Sequence, residues 1–107
     1  MSPEVEAILA GVGRQAMICA FTRAVYDDRA GRVRYQIARD LVAAVPERGT
    51  HVDVMYDVGS DTFTVSLAKA PARVTGDWRV IERLADVHVG ELRGVIERMT
   101  RLYLAIF

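Results

Sequence analysis

His51-Val52-Asp53-Val54-Met55-Tyr56-Asp57-Val58-Gly59-Ser60-Asp61-Thr62-Phe63-Thr64-Val65-Ser66-Leu67 is the stretch on which the reading of the fold turns. Apolar side chains recur at every second residue on both sides of Gly59-Ser60-Asp61: Val52, Val54, Tyr56 and Val58 before it, Phe63, Val65 and Leu67 after it. Successive residues of a strand point to opposite faces, so this period of two predicts an antiparallel β-hairpin with one face turned to a core. The other face carries His51, Asp53, Met55, Asp57, Thr62, Thr64 and Ser66, the composition of a solvated sheet surface.

Upstream of the hairpin the pattern reads as helical. Ser2-Pro3-Glu4 joins a capping serine, a proline suited to the first helical position and an acid at the positive end of the dipole, which predicts a helix from Pro3. Val5, Ile8, Leu9 and Val12 make its apolar stripe, Ala16 to Val25 is apolar nearly all round, and Gly11 and Gly13 mark a kink between the halves. After a turn at Asp27-Asp28-Arg29-Ala30-Gly31, Val33, Ile37, Leu41 and Val45 recur every four residues until Pro46, predicting a second amphipathic helix.

Downstream, Ala70-Pro71-Ala72 ends the strand, and Arg73-Val74-Thr75 reads as a loop or a short third strand. Asp77 can cap a helix with Trp78, Ile81, Leu84 and Val87 inward, and Leu92, Val95, Ile96, Met99, Leu102, Tyr103 and Ile106 continue an apolar stripe, so residues 77–105 read as one helix or two. The expectation is a single α+β domain over residues 1–107. It has two N-terminal helices, a central antiparallel β-hairpin with or without a third short strand, and one or two C-terminal helices.

Composition narrows the function classes. Apolar residues at 51% and charged residues at 26% describe a packed globule rather than a disordered tail. Fourteen basic and fourteen acidic side chains cancel, so no whole-molecule field draws the chain to nucleic acid or an anionic membrane. The single cysteine, Cys19, lies in the apolar run Ala16-Met17-Ile18-Cys19-Ala20-Phe21 and reads as a small core residue. Met1-Ser2-Pro3-Glu4 carries acid where a signal peptide carries base, and no apolar run approaches the ~18 residues of a membrane span. A cytoplasmic protein with no membrane partner is the expectation.

Each candidate for chemistry has a bland counterpart that outweighs it. Gly11-Val12-Gly13-Arg14-Gln15-Ala16 has the spacing of a dinucleotide-binding turn, but Glu4 to Leu9 before it reads as helix where that turn requires a strand. His51, Asp53 and Asp57, with Asp61 in the turn, share a strand face, yet an extended strand spreads His51 and Asp57 about 20 Å apart, too far for one metal ion. Asp57 to Asp61 lacks the ligand series and closing glutamate of a calcium loop. Cys19 in an apolar run is a poor nucleophile, and His51 and His88 have no nucleophile at a motif's spacing. No enzyme, metal or cofactor is expected.

Three surfaces remain. Arg29, Arg32, Arg34 and Arg39, with Tyr35 and Gln36 among them, form a basic segment without an acid; on a helix Arg32, Tyr35, Gln36 and Arg39 would share one face able to grip phosphates and touch a base. Asp53, Asp57 and Asp61 make an acidic face on the hairpin, and the absence of Arg and Lys from Thr50 to Ala68 sets that element against a phosphate backbone. Leu92, Met99, Leu102, Tyr103 and Ile106 form a C-terminal stripe suited to a homodimer. The hairpin is also expected to leave an edge open to pairing. The leading expectation is a non-enzymatic module that binds another protein, as an adaptor, inhibitor or immunity-type factor, through these charged surfaces and the C-terminal helix. The alternative is a small nucleic-acid-binding regulator using the arginine segment.

Overall fold

The computed structural model describes residues 1–104. Helices α1 (Pro3–Val12) and α2 (Arg14–Cys19) lead into five strands, β1 (Phe21–Asp27), β2 (Arg32–Ile37), β3 (His51–Asp57), β4 (Thr62–Lys69) and β5 (Arg79–Val87), followed by helix α3 (Leu92–Thr100). The strands pair antiparallel in sequence order, β1-β2-β3-β4-β5, as a meander. Short 3-10 segments at Arg39–Ala44 and Pro46–Arg48 carry the chain from β2 to β3.

The expected hairpin is β3 and β4, with Val52 opposite Leu67, Val54 opposite Val65 and Tyr56 opposite Phe63. It is the interior of a larger sheet. β2 pairs with β3 and β5 with β4, so both edges of the hairpin are taken, and the open edges belong to β1 and β5.

Three helical expectations are corrected. The second helix is absent: Arg32–Ile37 is strand β2, with Val33, Tyr35 and Ile37 buried and Gln36 exposed. A spacing of four fits two pleats of a strand as well as one helical turn, and the β-branched and aromatic side chains Val33, Tyr35 and Ile37 favour the strand. The first helix stops at Gly13, whose φ of 92° is open to glycine and strained for other residues. A short α2 follows, and Phe21–Asp27, expected as its continuation, is β1. Arg79–Val87, expected as helix, is β5, an edge strand whose pairing slips twice and whose Asp86 sits at φ 59°. Such bulges scramble the alternation that would betray a strand. Arg73-Val74-Thr75 is loop.

All three helices pack on one face of the sheet. α1 lies on β2, α2 on β1, α3 on β4, and α1 touches α3. One core cluster unites Val5, Ile8 and Val12 of α1, Val95, Ile96 and Met99 of α3, and the inward row Val33, Tyr35, Val52, Val54, Val65 and Leu67. The helix ends are capped from within the chain. Ser2 Oγ accepts from Val5 N–H at 3.2 Å, and Arg101 at φ 62° ends α3, its N–H donating to Glu97 O. The result is a two-layer α+β domain with no helix of the described residues on the second sheet face.

Candidate binding face of the sheet

The uncovered face is built from alternate residues of every strand. The register sets Arg23, Val25 and Asp27 of β1 beside Gln36, Arg34 and Arg32 of β2, and these in turn beside His51, Asp53 and Met55 of β3. Asp53 then stands opposite Ser66 of β4, and Ser66 opposite Arg83 of β5. Two shallow depressions flank Arg32: one toward β1 at Arg23, Val25 and Asp28, the other toward β5 at Met55, Thr64, Ser66 and Arg83.

At its centre one carboxylate lies between two guanidinium groups. Arg34 Nη2 donates to Asp53 Oδ2 at 3.2 Å, and Arg32 Nε stands 3.9 Å from Asp53 Oδ1. That Oδ1 is buried and accepts no hydrogen bond among the described residues. The loop before β5 folds back over the same spot. Trp78 lays its ring against the Arg34 guanidinium, 4.2 Å from centroid to Cζ, and meets the His51 ring edge-on at 4.7 Å. Thr50 Oγ1 accepts from Ala70 N–H at 2.8 Å and lies 2.8 Å from His51 Nδ1, fixing the start of this loop and the imidazole.

Partial burial and the Arg34 cation hold His51 below the ordinary histidine pKa, against a smaller opposite pull from Asp53. The unfolded chain therefore binds more protons than the folded one just below the ordinary value of about 6.5, and stability falls as pH drops through that value toward the folded one. Urea midpoints at pH 5.5 should lie below those at pH 7.5. His51→Gln should reduce that difference; an unchanged difference would show that His51 does not titrate as this surrounding requires.

The sequence-predicted residues scatter. Arg29 is in the β1–β2 turn and Arg39 in the 3-10 crossover, while Arg32, Arg34 and Gln36 point to the open face. Tyr35 points the other way, buried and stacked on Phe21 at 4.7 Å, so it cannot touch a base; burial also raises its hydroxyl pKa. The expected basic helix face is thus dismantled by the pleat. Of the acidic residues Asp53 is paired with arginine, whereas Asp57 Oδ1 accepts from Gly59 N–H at 3.1 Å within the turn and Asp61 accepts from the Tyr56 hydroxyl at 2.6 Å, with no cationic partner for either among the described residues. On α3, Leu92 and Met99 are buried in the chain's own core, as is Leu102 just beyond it, so these three residues of the stripe expected to dimerise are occupied internally. Tyr103 is exposed, and Ile106 lies outside the described residues.

Sequence reasoning missed Trp78, Arg23 and Arg83 as face residues. A helical reading of residues 77–87 turns Trp78 inward, and its meeting with Arg34 and His51 depends on a loop's path. Arg23 and Arg83 become face residues only once β1 and β5 are recognised as strands. Among the described residues no three His, Cys, Asp or Glu side chains gather to hold a metal ion, and no helix is long and apolar enough to cross a membrane.

What the fold and this surface define is a two-layer α+β domain with an open antiparallel sheet face. Protein-family models, curated proteins and solved structures were each compared with the chain, and none matches.

Proposed function

We propose that the chain is a protein-binding module and that its contact surface is the open sheet face centred on Arg34 and Trp78. The observation that carries this is the Trp78–Arg34–Asp53 assembly, an aromatic ring and a paired guanidinium held in fixed positions on a face the protein's own helices leave bare. Tryptophan and arginine are the side chains most often found to dominate binding energy at protein interfaces. Around them, Val25, Met55 and Val80 are exposed apolar groups on a rigid scaffold. Arg23, Arg32, Arg34 and Arg83 are set against Asp27, Asp53 and Asp57 on this face. That near balance suits a protein surface of mixed charge better than the uniform negative charge of a nucleic acid. Adaptor, inhibitor or immunity-type roles are the uses such a module serves.

The test is affinity capture with the purified protein from lysate of its own organism, with and without nuclease, using wild type, Trp78→Ala and Arg34→Ala. A stoichiometric, nuclease-resistant protein partner is expected, its affinity falling by about thirtyfold or more with Trp78→Ala, the effect of losing an interface anchor worth about 2 kcal/mol. Undiminished capture by both variants would place binding elsewhere on the chain. Retention of nucleic acid alone, lost on nuclease treatment and steeply salt-dependent, would replace the protein reading with the nucleic-acid one.

A further inference from the structure

The two ends of the sheet are unlike. β5 is blunted: its pairing with β4 slips twice and Asp86 takes a left-handed conformation, bulges of the kind that turn an edge away from further pairing. β1 is not. From Arg23 to Asp27 its pairing with β2 is regular, and its outer side presents a row of backbone N–H and C=O groups that no strand of the described residues pairs with. Val25 and Tyr26 are half exposed on it, at 53% and 49%. α2, which packs on the same strand, adds the exposed Met17 and Ile18 in the helical layer.

We propose that a second copy of the chain pairs with β1, antiparallel about a two-fold axis midway between Val25 and its copy, to make one continuous ten-stranded sheet. Symmetry restricts the choices. In an antiparallel pair related by a two-fold axis normal to the sheet, opposed residues come from the same face, so the axis must pass midway between a residue and its own copy. Centring on Arg23 or on Asp27 opposes like charges. Centring on Ala24 or on Tyr26 places Val25 opposite Arg23 or Asp27. Centring on Val25 alone sets Arg23 opposite the partner's Asp27, twice by symmetry, with Val25 against its copy and Ala24 against the bulky Tyr26. The charges are available: among the described residues the Arg23 side chain makes no ion pair or hydrogen bond, and Asp27 uses Oδ1 alone, toward the Arg29 and Ala30 N–H groups. The depression at Arg23, Val25, Tyr26 and Asp28 lies on this edge, so the partner would extend it and join the two open faces.

Sedimentation equilibrium of the purified protein carried into the high-micromolar range is the first measurement, because so short an edge pairing belongs to the weaker, concentration-dependent class of interface. A species of twice 11.9 kDa is expected. Arg23→Asp puts two carboxylates opposite two others, and its dimer dissociation constant should rise about tenfold or more while the thermal midpoint stays near that of wild type. Val25→Cys in a Cys19→Ser background should oxidise to a covalent dimer, since directly opposed Cα atoms lie about 4.5–5.5 Å apart, within disulfide reach. Leu84→Cys on β5 should not. A wild type monomeric throughout the range, a dimer indifferent to Arg23→Asp, or cross-linking through Leu84→Cys in place of Val25→Cys would each overturn the proposal. All of these measurements are made with no other protein present, so they succeed or fail independently of partner binding at Trp78.

Discussion

Leu67→Ala should lower the unfolding free energy by about 2–5 kcal/mol, in the upper part of that range, whereas Leu67→Met should cost less than about 1.5 kcal/mol. Leu67 is fully buried on β4, opposite Val52 of β3 and Glu82 of β5, and belongs to the single core cluster. Its other wall is the end of the β2–β3 crossover. A Cβ added to Gly49 would stand 2.6 Å from Leu67 Cδ1 and 3.2 Å from Ile81 Cδ1, so the crossover backbone rests directly on the leucine. Walls made of paired strands and of backbone collapse poorly into a cavity, and the cost of truncation rises with the volume left empty. Against a total of about 5–15 kcal/mol for an ordinary domain, that loss is large. Equilibrium urea unfolding measures it, with Val74→Ala, in the exposed loop before β5, as a control expected within about 0.5 kcal/mol of wild type. A loss below about 1 kcal/mol for Leu67→Ala would mean that the crossover settles into the space and does not wall the core as described.

What the sequence makes legible follows from how unambiguous each local pattern is. Val52, Val54, Phe63, Val65 and Leu67 alternate without interruption and flank a turn of Gly, Ser and Asp, so β3 and β4, with their inner and outer faces, can be read directly. β2 is misread because Val33, Ile37, Leu41 and Val45 satisfy the helical spacing. The deciding residue is Tyr35, which extends the alternation of Val33 and Ile37 while Arg32, Arg34 and Gln36 fall between them. β5 is hidden because it is an edge exposed on both sides and bulged, so burial imposes no pattern on it. The site is hidden for a different reason. His51 and Asp53 can be placed on one face from sequence, but Arg34 joins them only through the β2–β3 register, and Trp78 only through the loop. Both are long-range facts with no local signature.

One signal for the first hairpin was present in the chain itself. Val25-Tyr26-Asp27-Asp28-Arg29-Ala30-Gly31-Arg32-Val33 is echoed thirty residues later by Met55-Tyr56-Asp57-Val58-Gly59-Ser60-Asp61-Thr62-Phe63. Each runs from a strand through Tyr-Asp and a four-residue turn into the next strand. In both, the Asp side chain accepts from the N–H two residues on, and the residue four after it is left-handed, Gly31 at φ 62° and Asp61 at φ 54°. A turn solved once in the chain predicts the other.

Gly31→Val should therefore destabilise the fold by about 2–4 kcal/mol, the sum of a left-handed backbone penalty and an overpacked contact. Gly31 is more than a turn residue. Its carbonyl accepts from Tyr56 N–H at 2.9 Å, and a Cβ added to it would stand 3.2 Å from Tyr56 Cβ and 3.4 Å from Glu4 Cβ. The first hairpin, β3 and α1 meet at this point, and Asp28 Oδ1, accepting from Ser2 N–H at 2.7 Å, ties the same turn to the α1 cap. A β-branched side chain is disfavoured at positive φ and has to displace strand or helix backbone to fit. Gly31→Asn separates the two costs, because asparagine tolerates the left-handed conformation while still carrying the Cβ. It should lie between Gly31 and Gly31→Val in urea midpoint. Equal midpoints for asparagine and valine would assign the whole effect to the close contacts with Tyr56 and Glu4. A Gly31→Val midpoint matching wild type would mean that this turn neither holds a left-handed residue nor packs against α1, and that the three-way junction is not formed.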